Sequence, residues 1–223
     1  MKKALSPMFA ALTLAAVAAF PAQAQGVTGD AQAGAGKIAM CIGCHGIKGY
    51  QSSFPEVYKV PRISGQNAKY IASVLESYKK GDRKHPSMRA IAGSLTEQDI
   101  ADVAAYYEQS GRTEGESAPA ATPPAPSAQV TQLLQKGACV SCHGDNFSKP
   151  IDPSYPKIAG QYPDYLYVAL KSYKDNGHQT WGRANPVMAG MAKQFSNAEL
   201  KAMANYIGSL DSELKTIPQS RFR

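Results

Sequence analysis

The chain has 223 residues, a formal net charge of +7 and four cysteines. No basic cluster is interleaved with aromatic residues, which argues against nucleic acid as a partner. After the first two dozen residues no apolar run approaches membrane length, and what remains suits two small domains better than one large one.

Met1-Lys2-Lys3 leads into an apolar segment from Phe9 to Phe20 and then Pro21-Ala22-Gln23-Ala24. A short positive start, an apolar segment too short to span comfortably and an A-x-A site make residues 1–24 a secretory signal peptide, with cleavage after Ala24. An uncleaved anchor is the alternative. Cleavage predicts a periplasmic protein with no transmembrane segment.

Asp30 is placed to cap a helix running toward Cys41, although Gly34 and Gly36 weaken that helix by propensity. Next comes Cys41-Ile42-Gly43-Cys44-His45, and much later Cys139-Val140-Ser141-Cys142-His143, which together use all four cysteines. Cys-x-x-Cys-His is the attachment signature of c-type haem: two thiols reach one porphyrin edge, and the next imidazole ligates the iron. A thioredoxin-type pair belongs near a βαβ pattern, which is absent from this sequence. A zinc site needs four ligands where each cluster offers three, and disulfides would leave both histidines unexplained. Two motifs predict two covalently bound haem c groups, on Cys41 and Cys44 and on Cys139 and Cys142, with His45 and His143 as axial ligands.

After His45 the turn residues around Tyr50, Pro55 and Pro61 predict an irregular loop. Beyond Gly65-Gln66-Asn67, the spacing of Tyr70, Ile71, Val74, Leu75 and Tyr78 predicts a helix that Gly81 stops. His85-Pro86-Ser87-Met88 reads as an aperiodic loop. Thr96 with Asp99 resembles a capping box, opening a helix with Ile100, Val103, Ala104 and Tyr107 on its apolar face and Gly111 at its end. Residues 25–110 therefore form one domain: helix, haem loop, helix, ligand loop, helix. Residues 111–128, rich in proline and alanine, are an interdomain linker.

Residues 129–223 form a second domain that repeats the first. The stretch 61–79 lies over 156–174 at an offset of 95, and Pro86, Met88, Leu95 and Tyr106 lie over Pro186, Met188, Phe195 and Tyr206 at an offset of 100. A five-residue insertion around Thr180 to Ala184 accounts for the change. Ser196 with Glu199 supplies a second capping box. The repeat selects Met88 and Met188 as the second axial ligands, since they occupy equivalent places. Met191 is the nearest rival, but its counterpart is Ile91. Met40 and Met203 read as packing residues on helices. His85 and His178, which do not align with each other, are the alternative sixth ligands.

The paired motifs, the Pro-x-Ile-x-Gly-Gln segments at 61–66 and 156–161, the tyrosine-bearing helices after them, the Pro-x-Met segments and the last helices with Tyr106 and Tyr206 resemble the dihaem cytochromes of the c4 type. The resemblance spans essentially the whole mature chain. It implies an all-α fold of tandem duplicated class I cytochrome c domains, each wrapping one covalent haem, with the haem edges facing each other. Pro61 and Pro156 resemble the family's proline whose carbonyl accepts a hydrogen bond from the iron-bound histidine. The linker is long and proline-rich for the family, which leaves the packing of the two domains open. The implied function is a periplasmic one-electron carrier, not an enzyme, between a respiratory donor and an acceptor. The implied partners are a terminal oxidase, a quinol-oxidising complex or a dehydrogenase. A dihaem peroxidase needs an iron with an open position, and a cysteine-ligated thiosulfate dehydrogenase needs a further cysteine. A haem subunit docked on a dehydrogenase, as in flavocytochromes, shares the fold and ligands and is the alternative.

Overall fold

The first helix begins where a side chain can satisfy its free amides: the Asp30 carboxylate accepts from the backbone N–H of Gln32 (2.7 Å) and Ala33 (3.3 Å). The structure, a computed structural model, describes residues 27–111 and 124–218. The predicted signal peptide (1–24) and most of the predicted linker (111–128) lie outside the described residues.

In the first half α1 (Ala31–Lys37) and α2 (Ala39–His45) are separated by Ile38, so the expected single helix is broken once before the first cysteine. The segment expected to be irregular contains a small antiparallel pair, β1 (Gln51–Ser52) and β2 (Tyr58–Lys59). Pro55 falls in the turn and Pro61 beyond the ladder, so neither removes a needed donor. Then follow α3 (Ala68–Lys80), β3 (Arg83–Lys84), α4 (Pro86–Gly93) and α5 (Glu97–Gln109). Gly81 ends α3 with φ 87°, and α5 opens with the full Thr96–Asp99 capping box. The second half contributes α6 (Ala128–Lys136), α7 (Val140–His143), α8 (Pro163–Lys174), β4 (Gly182–Arg183), α9 (Pro186–Lys193) and α10 (Asn197–Ser209). None of these helices is long and apolar enough to cross a membrane.

The predicted ligand loops are corrected: Met88 and Met188 each lie in the first turn of an eight-residue helix, α4 or α9. The proline stands inside the helix start, where its missing N–H costs nothing. The residue before it caps. His85 Nδ1 accepts from Met88 N at 3.4 Å, and Asn185 Oδ1 accepts from Met188 N at 2.9 Å.

Each half has its own core. Ile38, Ile42, Ile71, Leu75, Ile100 and Val103 are buried in the first, and Val130, Leu133, Leu166, Leu200, Met203 and Ile207 in the second. In the first half α1 lies directly on α5. A Cβ at Gly34 would come within 2.2 Å of the Asp102 carbonyl oxygen, so only glycine permits this crossing. Asp102 is 2% exposed. Its carboxylate accepts from the Asp30 amide (2.8 Å), Lys37 Nζ (2.6 Å) and Gln98 Nε2 (2.7 Å), tying the start of α1 to the middle of α5.

The two halves pack closely despite the linker's length. Gln66 donates to the Lys157 carbonyl and accepts from the Lys157 amide, both at 2.9 Å. Gln161, its repeat counterpart, donates to the Arg62 carbonyl (2.8 Å) and accepts from the Arg62 amide (2.9 Å). β3 pairs antiparallel with β4 across the same boundary, placing Arg83 opposite Arg183. Ion pairs Lys59–Asp164 and Lys171–Glu56 flank the contact.

Two outcomes follow for stability. Gly34→Ala should destabilise the folded protein by about 1–3 kcal/mol, as an overpacked contact does. Gly36→Ala, on the same helix with nothing within 4 Å, should stabilise it by roughly 0.5–1 kcal/mol in denaturant titrations. The Lys37 hydrogen bond, followed by those from Asp30 and Gln98, holds the Asp102 carboxyl below the usual carboxylate range against the opposing effect of burial. Its contribution is therefore fully present above the unfolded value of about 3.9 and is lost as pH falls through the depressed folded value. Melts between pH 5 and 2 should show a steeper acid decline for the unsubstituted protein than for Asp102→Asn.

Candidate haem sites

α2 presents Cys41 and Cys44 one turn apart on one face, with His45 next to them, and all three side chains are partly buried. In the second half Cys139 precedes α7, which carries Cys142 and the buried His143. His45 Nδ1 lies 2.9 Å from the Pro61 carbonyl oxygen, and His143 Nδ1 lies 3.2 Å from that of Pro156. A carbonyl only accepts, so Nδ1 carries the proton in both rings and the Nε2 lone pair is left for a metal. Burial lowers the pKa of both imidazoles, and the bond to the carbonyl only partly offsets it. Both are neutral at pH 7, the state that ligates iron. The resemblance had assigned these two prolines this role, and their carbonyls stand where it requires.

One continuous cavity of about 1080 Å³ runs between the halves, beyond the roughly 300–1,000 Å³ of ordinary small-molecule pockets. Cys41, Cys44, His45 and Met88 line it from one side, and Cys139, Cys142, His143 and Met188 from the other. Among the described residues no nitrogen or oxygen partner within hydrogen-bond distance meets His85 Nε2 or Tyr107 Oη, both buried beside it, and the Tyr107 hydroxyl faces the Cys41 thiol. Apolar walls, two sets of paired thiols, a free imidazole nitrogen in each half and thioether sulfurs fit two covalently attached haems, with the unpartnered polar atoms available to the porphyrin's own polar groups.

The rival ligands fare differently. Met191 also lines the cavity, three residues beyond Met188 on α9, and is 36% exposed, so the repeat rather than the cavity distinguishes it from Met188. Met203 is buried, as a packing residue should be, and Met40, 50% exposed, lines the cavity. His85 lines the cavity but caps α4. His178 stacks on Trp181 with ring centroids 4.2 Å apart and is not part of the lining.

Sequence reasoning missed four residues at the meeting of the halves. Gln66 and Gln161 lay inside the repeated segment that it singled out, yet their reach across the boundary has no local signal. Arg83 and Arg183 fall at the repeat offset of 100, three residues before the paired prolines, and that alignment could have flagged them.

The profile of the cytochrome c family matches residues 31–110 and 127–211. Cytochrome c4 of Stutzerimonas stutzeri is 31% identical over 193 residues, covering 82% of this chain and 90% of its own. A thiosulfate dehydrogenase electron acceptor from Stutzerimonas stutzeri strain A1501 is 29% identical over 207 residues, covering 84% of this chain and 88% of its own. The crystal structure of reduced recombinant cytochrome c4 from Pseudomonas stutzeri aligns with a TM-score of 0.61 at 28% identity, covering 82% of this chain and 100% of that one. Each stretch matched by the family profile holds one Cys-x-x-Cys-His motif. The chain therefore carries two covalently bound haem c groups and belongs to the cytochrome c family, with the two-domain architecture of cytochrome c4.

Proposed function

We propose that this protein is a periplasmic carrier of single electrons, exported by residues 1–24. Its haem domains are residues 25–110 and 129–223, joined by the linker 111–128. Cys41 and Cys44 bind one haem and Cys139 and Cys142 the other. His45 with Met88, and His143 with Met188, would hold the iron of the respective haems. The observation that carries this reading is the duplicated arrangement of an imidazole fixed through Nδ1 to a proline carbonyl and a methionine on the wall of the same cavity.

When bound, each haem supplies a one-electron iron couple. The chain's own residues set its conditions. The Pro61 and Pro156 carbonyls fix the imidazole rings and raise their basicity. Methionine thioethers favour the reduced metal more than a second imidazole would. With an imidazole and a thioether both offered to each iron, the chain would keep small molecules off the metal, which suits electron transfer and disfavours peroxide or oxygen chemistry. The relatives described as thiosulfate dehydrogenase electron acceptors support a periplasmic dehydrogenase as donor, with a terminal oxidase or quinol-oxidising complex as the other class of partner. A permanently docked dehydrogenase subunit is the second reading; it would co-purify with its enzyme, and a free carrier would not.

The decisive measurement is the optical spectrum of the dithionite-reduced protein before and after carbon monoxide. No change is expected for the unsubstituted chain. Met88→Ala and Met188→Ala should each let half of the haem bind carbon monoxide; binding at both sites in the unsubstituted protein would refute the ligand assignment. The haem cavity also lies within the apolar interior of both halves. Chain expressed without haem attachment should accordingly show no cooperative thermal transition by circular dichroism.

A further inference from the structure

Arg83 and Arg183 occupy equivalent places in the repeat and lie directly opposite each other in the ladder between β3 and β4. Because equivalent positions pair in antiparallel register, a local two-fold axis of the ladder passes between them. Arg83 is 7% exposed. It donates from Nε to Tyr78 Oη (2.9 Å), from Nη1 to Tyr70 Oη (3.3 Å) and from Nη2 to Tyr165 Oη (2.8 Å), the last across the boundary. Arg183 donates from Nη2 to the same Tyr165 hydroxyl (3.2 Å), with its guanidinium over the Tyr165 and Tyr173 rings.

Among the described residues every hydrogen-bond and ring partner of these two guanidinium groups is a tyrosine. Among the described residues neither arginine forms an ion pair with a carboxylate. Two like charges held together out of water are strongly unfavourable unless an anion compensates them. The tyrosines do not supply it. Burial would raise the Tyr165 pKa, and although the charges of Arg183 and Arg83 outweigh burial and bring it down to about 8, the hydroxyl stays mostly protonated at neutral pH. Tyr70 is pushed up to about 12, chiefly by burial. Both arginines line the cavity that holds the two haem-binding motifs, and each haem carries two carboxylates of its own.

We propose that Arg83 and Arg183 form one cationic clamp on the axis, shared by propionates from both haems, so that each arginine sets the potential of the haem in the opposite domain as well as its own. The inference rests on the two-haem reading above. A cation held beside a haem disfavours the more positive ferric state, and its removal lowers the potential. A clamp serving one haem would act on one couple. A shared clamp acts on both.

The test is a spectroelectrochemical titration of the two-haem protein and of Arg83→Gln, Arg183→Gln and Arg83→Lys, each first checked for two haems per chain and an unchanged reduced spectrum. Either glutamine variant should lower both midpoint potentials, by tenfold or more in redox equilibrium constant, about 59 mV for one electron, while Arg83→Lys retains most of both. If only one couple moves, or neither, the shared clamp is refuted. Should Arg83→Gln fail to assemble, Arg183→Gln, at the less buried position, decides the question by the same criterion. Absence of two reversible couples in the unsubstituted protein would instead reject the carrier reading, independently of the arginines.

Discussion

Two glutamine side chains govern how the halves of this molecule meet. An amide can donate and accept at once, and Gln66 and Gln161 each donate to and accept from one backbone residue of the opposite half, Lys157 or Arg62, while the same Oε1 also accepts from the next amide of its own half, Asn67 or Tyr162. Both are about 4% exposed, so losing the carbonyl that accepts from Nε2 would leave a buried donor unsatisfied, a penalty of about 1–3 kcal/mol. The residue just before each of these contacts is the proline whose carbonyl receives the haem-site histidine. One short stretch of backbone is thus held from both sides: Pro61 by His45 of its own half, Arg62 by Gln161 of the other. Orientation of the imidazole and registration of the interface are the same structural fact.

How much of this could be read from sequence depends on how local its cause is. The haem motifs, the Thr96 and Ser196 caps, the apolar face of α3 and its glycine stop are local, and the structure has them where the pattern requires. The helices carrying Met88 and Met188 are also local, but eight residues are too few to show a period, so the segments read as aperiodic loops. Gly34 weakens an isolated helix, and only the approach of α5 explains why it is there. The length of the proline-rich segment left the packing open because the contacts described across the boundary lie between residues roughly ninety to over a hundred positions apart.

Duplication has not made the two sites identical. Around the same scaffold, His85 caps the helix that carries Met88 while Asn185 caps the one that carries Met188. The buried Tyr107, with its hydroxyl beside the first cavity wall, stands where the second half has the apolar Ile207. A buried hydroxyl or imidazole next to a redox centre changes its local polarity, and an aliphatic side chain does not. The shared elements repeat the same arrangement of thiols, imidazole and thioether in both halves, and these differences give each site a different dielectric setting.

The reciprocal contact has a further consequence. A surface that meets its own duplicate is isologous, and every cross-boundary bond described here belongs to one half or the other, none to the stretch that joins them. Recognition between the described residues of the two halves thus runs through the halves themselves. What the covalent connection changes is molecularity: closure of the pair is independent of dilution, so the two redox centres travel in fixed one-to-one ratio at any protein concentration.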